Sequence, residues 1–168
     1  MAKRKRKVRQ TRTVELLEGR VRMSVPGSYR RLTPEELAKL VSGTKGEVQG
    51  FRDTQGTTTI VAEAQRLGFL ASKVGKPQIV CQNSERGMAR SLAANGYELE
   101  GFFEKEVAGE QATGFLYHYV GDVAFFGEMV SVRSGKILLT LTVADARAKE
   151  RRTLQAFDAV LASIAFGE

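Results

Sequence analysis

The residues of this chain that could do chemistry are few and stand apart. His118 is the single histidine and Cys81 the single cysteine. A histidine can act as a general base or bind a metal. A thiol becomes a nucleophile only beside a base and an orienting group. His118 and Cys81 are separated by 37 positions, and no spacing rule brings them together. A lone histidine and a distant cysteine do not make the ligand set of a usual transition-metal site. His118 therefore reads as an ordinary strand residue and Cys81 as a passive, buried thiol. Glu104 and Glu106 share a strand face, with Lys105 between them and Glu110 beyond. They could pair as acid and base, but charged residues on an exposed strand face are the commoner arrangement. Neither a Walker spacing nor a Gly-x-Gly-x-x-Gly run occurs at a strand-to-helix junction, which disfavours nucleotide chemistry. The expectation is a non-enzymatic protein without catalytic residues, cofactor or metal.

A second group is electrostatic. Lys3, Arg4, Lys5, Arg6, Lys7, Arg9 and Arg12 crowd the first twelve positions with no acid among them. The formal net charge is +7 from 26 basic and 19 acidic residues, so the remainder of the chain is formally neutral. Residues 1–13 lack the apolar content to pack and read as a disordered basic tail; residues 14–168 read as one domain. The tail could bind nucleic-acid phosphates without sequence preference and with strong salt dependence. It could equally be a localisation signal, meet an anionic membrane surface or be merely solvated. No aromatic interleaves its charges, so base stacking is not indicated.

A third group is aromatic. Phe102, Phe103, Phe115, Tyr117, Tyr119, Phe125 and Phe126 concentrate in adjacent strands. Phe115, Tyr117 and Tyr119 share one strand face and, with Phe125, are candidates for binding another protein through a peptide or helix. A second copy of the chain is a further candidate partner. Most of these rings also suit a core beneath the last helix.

These residues are positioned by a run from Gly114 to Phe166. Phe115 to Val120 is predicted as a strand, turning at Gly121-Asp122 into Val123 to Val132 and at Ser134-Gly135 into Ile137 to Val143. Leu154, Phe157, Leu161 and Ile164 then mark one stripe of a helix that Asp145 can cap. Upstream, Val21, Met23 and Val25 alternate until Pro26-Gly27, with Leu16-Leu17 as a short partner strand. Thr33-Pro34-Glu35-Glu36 is a helix start with a cap, a first-turn proline and a capping-box glutamate. Gly43 stops that helix. Val48 to Arg52 and Thr57 to Ala64 read as strands about a turn at residues 53–56. Residues 66–78 read mostly as loop. Asn83-Ser84 can cap a helix with Met88, Leu92 and Ala93 on its apolar face, ending at Asn95-Gly96. Tyr97 to Val107 reads as a strand turning at Gly109-Glu110.

The total is six or seven strands and three helices joined by short connections, hence mostly antiparallel pairing. Apolar residues on both faces of the Phe115–Val132 region imply a sheet covered on both sides. The fold class is α+β: a central antiparallel sheet of six to seven strands with helices on both faces. An apolar fraction of 42% suffices for a core at this length. No apolar run reaches the roughly 18 residues of a membrane span. No apolar segment follows the basic start, so a secretory signal is not expected. One cysteine cannot form an internal disulfide and fits a reducing, cytoplasmic setting.

This order of elements resembles the PsbP-like fold, in the branch that includes the DcrB-like bacterial proteins. The likeness rests on Val21-Arg22-Met23-Ser24-Val25-Pro26 followed by Leu32-Thr33-Pro34-Glu35-Glu36-Leu37. It rests also on the strands separated by Gly121 and Gly135, and on the closing helix Phe157 to Phe166. It covers about residues 19–166. The resemblance implies an α/β/α sandwich with a binding, adaptor or chaperone-like role. Relatives include a photosystem accessory protein, a nuclear Ran-binding protein, bacterial lipoproteins and chaperones of type VI secretion effectors. They share no catalytic residues to carry over. Cys81 lies too deep in the sequence to be a lipidated cysteine, and the basic tail is not a feature of the family.

Overall fold

In a computed structural model the structure describes residues 10–41, 43–54 and 56–167. The expected disorder of the tail, and Lys3, Arg4, Lys5, Arg6, Lys7 and Arg9, lie outside the described residues. Among the described residues ten strands and four α-helices follow in order. They are β1 (Thr11–Leu16), β2 (Val21–Pro26), β3 (Tyr29–Arg31), α1 (Pro34–Leu40), β4 (Glu47–Asp53), β5 (Thr59–Arg66), α2 (Ala71–Val74) and α3 (Pro77–Ser91). After these come β6 (Glu98–Val107), β7 (Glu110–Val120), β8 (Ala124–Ser134), β9 (Ile137–Ala146), α4 (Glu150–Ala162) and β10 (Ala165–Phe166). Seven strands form one antiparallel sheet in the order β3-β4-β5-β9-β8-β7-β6. β1, β2 and β10 form a separate three-stranded sheet. The expected antiparallel sheet of six to seven strands is therefore present. The expected pairing of β1 with β2 is present, but their separation into a second sheet closed by β10 was not expected, because β10, at two residues, is too short to carry a period-2 signal.

The two faces of the large sheet are covered differently, and alternation along each strand assigns side chains to one cover or the other. On one face, Ile60, Ala62, Ala64, Val130, Val132, Leu139, Leu141 and Val143 pack with Val21, Met23 and Val25 of the small sheet and with Phe157, Val160 and Leu161 of α4. Ser163 Oγ accepts from the Ser24 amide at 2.8 Å, tying the end of α4 to β2. On the opposite face, Phe115, Tyr117 and Met129 pack with Cys81 of α3, flanked by Val80, Met88 and Leu92. α1 sits on that face too, since a Cβ at Gly50 would collide with Leu37 and Leu32. Helices on both faces are as expected. The rings Phe115 and Tyr117 lie under α3, however, and not under the last helix: odd-numbered β7 positions face α3 and even-numbered ones face α4.

Local departures have local causes. β1 begins at Thr11, so the expected boundary after residue 13 falls inside a strand. α3 begins at Pro77, not at Asn83-Ser84. Pro77 takes the first helical position after an extended Lys76, and Cys81, Met88 and Leu92 then recur at helical spacing. Gln82, Asn83 and Arg86 are exposed on this helix, whereas Ser84 and Glu85 are half-buried. Of the stretch expected as loop, residues 71–74 form the single turn α2. The β6–β7 hairpin turns at Ala108-Gly109, both at positive φ (+53° and +78°), one residue earlier than expected. That pair of left-handed residues suits the tight turn of a twisted hairpin. Thr33 caps α1 as expected, accepting from the Glu36 amide at 3.2 Å. The Glu36 carboxylate accepts from both terminal guanidinium nitrogens of Arg30, Nη1 and Nη2, at 3.0 Å. Asp145 does not cap α4: a 3-10 turn at Arg147–Lys149 intervenes, and α4 starts after Lys149 with no side-chain cap. Among the described residues no helix is long and apolar enough to cross a membrane.

Candidate functional site

The polar residues gather along the seam between α4 and the β6–β7 edge of the large sheet. Glu150 and Asp158 are on α4, with one face of β6, β7 and β8 opposite. Lys105 Nζ bonds Asp158 Oδ1 at 3.2 Å and stands 3.5 Å from Glu128 Oε1. Glu128 is buried, and burial pushes its carboxyl above the ordinary glutamate range, with Lys105 countering only in part.

At the other end of the seam, His118 Nε2 lies 3.2 Å from Glu100 Oε2 and 3.3 Å from Glu150 Oε1. The three ligand atoms all fall within 4.8 Å of one another, so these residues could hold a metal ion. The local fold explains the convergence. Strand register shifts between Leu99 and Gly101, so Glu100 occupies a β-bulge in β6. A bulge re-aims a side chain that strict alternation would turn elsewhere. His118 is an even-numbered β7 residue and faces α4. Glu150 opens that helix. None of the three spacings announces the cluster in the sequence: Glu100 depends on the bulge, and Glu150 on the approach of α4.

The other sequence candidates separate. Cys81 Sγ contacts the Thr113 carbonyl at 3.2 Å beneath α3, on the face opposite His118, so the two cannot act as a nucleophile and base. Burial pushes the Cys81 thiol up to about 11. Glu104 and Glu106 are exposed on β6. Glu104 accepts from Gln111 at 3.2 Å and makes no pair with Glu106 among the described contacts. Arg12 belongs to β1 and not to a free tail: its Nη2 donates to the Tyr29 carbonyl at 3.0 Å. Its guanidinium lies 5.7 Å over the Phe51 ring.

The four aromatic candidates and Phe102 form a continuous ladder of five rings. Centroid separations are 5.7 Å for Phe102–Phe115, 5.7 Å for Phe115–Tyr117, 6.1 Å for Tyr117–Tyr119 and 5.2 Å for Tyr119–Phe125. Phe115 and Tyr117 are buried by α3 and so are core rings, unavailable to a partner. Tyr119 and Phe125 are half-buried. The ladder surfaces at two places: Phe102, 45% exposed on β6, and the β7–β8 tip, where Val120 and Val123 are 56% and 50% exposed. β6 is the terminal strand of its sheet, so its outer backbone edge pairs with no strand among the described residues.

A further cleft of about 980 Å³ opens between α4, the Pro26-Gly27 turn and the β4–β5 loop, lined in part by Tyr29, Thr58, Lys149, Arg152 and Thr153. Behind it Asp145 accepts from the hydroxyls of Thr57, Thr58 and Thr153, which makes it a structural tie.

No family model matches this sequence, and no curated protein matches it. Solved structures do. Cyanobacterial PsbP (CyanoP) from Synechocystis sp. PCC 6803 superposes with a TM-score of 0.72 at 12% identity, over 99% of this chain and 98% of that one. The fold is PsbP-like. LpqN, involved in cell envelope biogenesis of Mycobacterium tuberculosis, has the same architecture with a TM-score of 0.62 at 16% identity, over 95% of this chain and 91% of LpqN. At such identities the likeness speaks for the fold alone.

Proposed function

We propose that this PsbP-like chain is a non-catalytic, cytoplasmic binding domain whose partner is another protein, engaged along the β6 edge. The carrying observation is Phe102. It stands 45% exposed in the middle of a ten-residue edge strand, with its ring against buried Phe115. An exposed edge can accept an extended segment as an added strand, and an aromatic at its centre supplies an anchor. Glu98, Glu104 and Glu106 are also exposed along this strand. Their charge guards the edge against self-pairing and favours a partner segment that is basic around an apolar residue. The adaptor role that the fold resemblance implies supports the same reading.

The test is a photo-reactive side chain at Phe102 in the native cell, with one at exposed Lys39 on α1 as the control. One protein adduct specific to position 102, and lost when Glu104 and Glu106 are both changed to lysine, is the expected result. Identical adducts at both positions, or none at 102, would overturn the proposal.

A further inference from the structure

We propose that Glu100, His118 and Glu150 form a site for one divalent first-row transition ion, best matched by Zn²⁺. The first argument is a mismatch in hydrogen-bonding capacity. An imidazole Nε2 carries at most one hydrogen. Two carboxylate oxygens nevertheless converge on it, at 3.2 and 3.3 Å. The Glu150 contact has hydrogen-bond geometry, and one hydrogen serves Glu100 as well only by being shared in a weaker, three-centre bond. A cation between the three atoms satisfies all of them and neutralises two carboxylates that otherwise face each other.

The second argument is size. Nitrogen and oxygen ligands about 2.0–2.2 Å from a tetrahedral zinc ion lie roughly 3.3–3.5 Å apart. The two separations from Nε2, 3.2 and 3.3 Å, lie at the lower edge of that range, and all three ligand atoms lie within 4.8 Å of one another, so a side-chain adjustment at exposed Glu100 admits an ion. The third is ligand type. One imidazole and two carboxylates suit zinc and its neighbours, whereas calcium and magnesium favour all-oxygen shells of six or more. Exposure is graded: the His118 side chain is 12% accessible, Glu150 25% and Glu100 51%. The histidine is thus anchored from within while solvent reaches the outer side, leaving a fourth position for water. The ion would pin the start of α4 to the bulge in the β6 edge, both of which already meet at His118.

The competing account is a plain ion pair between a protonated histidine and two carboxylates, and it makes the opposite prediction for zinc. Calorimetric titration of the full chain with Zn²⁺ should show one saturable equivalent, with Mg²⁺ and Ca²⁺ silent at the same concentrations. Glu100→Ala and His118→Asn should each weaken zinc binding by about tenfold or more, a loss that even outer-shell changes can cause. Co²⁺ should give a visible absorption band that His118→Asn alters. Glu100 is half-exposed on an edge strand, so Glu100→Ala tests the site even if His118→Asn folds poorly. Absence of stoichiometric binding, or equal affinity in wild type and Glu100→Ala, would overturn the proposal.

Discussion

Thr153 Oγ1 donates to Asp145 Oδ2 at 2.7 Å, and this one bond joins the end of β9 to the second turn of α4. The same carboxylate accepts from Thr58 Oγ1 at 2.5 Å, from Thr57 Oγ1 and from the Ala146 amide at 2.7 Å. Asp145 is 1% exposed, and a buried charge is tolerable only when its lone pairs are filled.

Acid should therefore weaken this protein through Asp145. Burial pushes the carboxyl up, but the four donors outweigh it and hold the group below the usual aspartate range. A depressed native value means that the unfolded chain binds the proton first. The stabilisation is complete above the ordinary aspartate range and is lost as pH falls through the lowered native value. Asp145→Asn should cost about 2–3 kcal/mol at neutral pH, because an amide cannot accept from all four donors. It should also flatten the acid limb. Urea unfolding of both proteins at neutral pH and at about pH 3 measures this; equal acid sensitivity would count against Asp145 as the cause.

The Tyr117 ring crosses Gly127, its partner on β8, so closely that a Cβ there would lie 2.2 Å from the ring's Cζ and hydroxyl oxygen. Gly127→Ala must displace a ring that is only 3% exposed beneath α3. Overpacking of this kind costs about 1–3 kcal/mol. Near-ultraviolet circular dichroism should change with it, since Tyr117 is stacked with Tyr97 and Tyr119. An unperturbed spectrum and an unchanged midpoint would show that the ring yields without cost.

Cys81 should resist labelling in the native protein. Its thiol is buried and raised to about 11, so little thiolate exists near neutral pH. Iodoacetamide should modify it only after unfolding, as followed by intact mass. Rapid native labelling would mean that α3 opens readily from the sheet.

The long elements were legible because their periodicity is strong. β9 alternates Ile137, Leu139, Leu141 and Val143, and α4 repeats Leu154, Phe157 and Leu161; both form as the pattern requires. The sequence pattern starts α3 six residues late because five polar residues, Gln82 to Arg86, follow Cys81 directly and mask its place on the apolar face. The candidate metal cluster was illegible for a different reason. Glu100 reaches His118 through a bulge, and Glu150 arrives on a helix 32 residues further on, so no local pattern joins the three. The aromatic face was visible in the sequence. Its burial under α3 was not, because pattern shows which residues share a face but not what covers it.

Glu128 tests whether the polar seam under α4 stabilises or merely tolerates its charges. Oε1 is buried without a hydrogen-bond partner among the described residues, and Lys105 Nζ is 3.5 Å away. Burial raises the Glu128 pKa, with Lys105 lowering it in part. A raised native value means that the folded state holds a proton the unfolded chain releases. Stability then falls as pH rises from the ordinary glutamate range through the native value. Glu128→Gln should accordingly leave neutral-pH stability unchanged or raise it by about 1 kcal/mol, and the difference should shrink in acid. Lys105→Met should do the reverse at neutral pH, costing about 3 kcal/mol, because it strands a buried carboxylate. Chemical denaturation of both variants at two pH values decides it. If Glu128→Gln is clearly destabilised at neutral pH, the ionised pair is a net contributor and the burial argument fails.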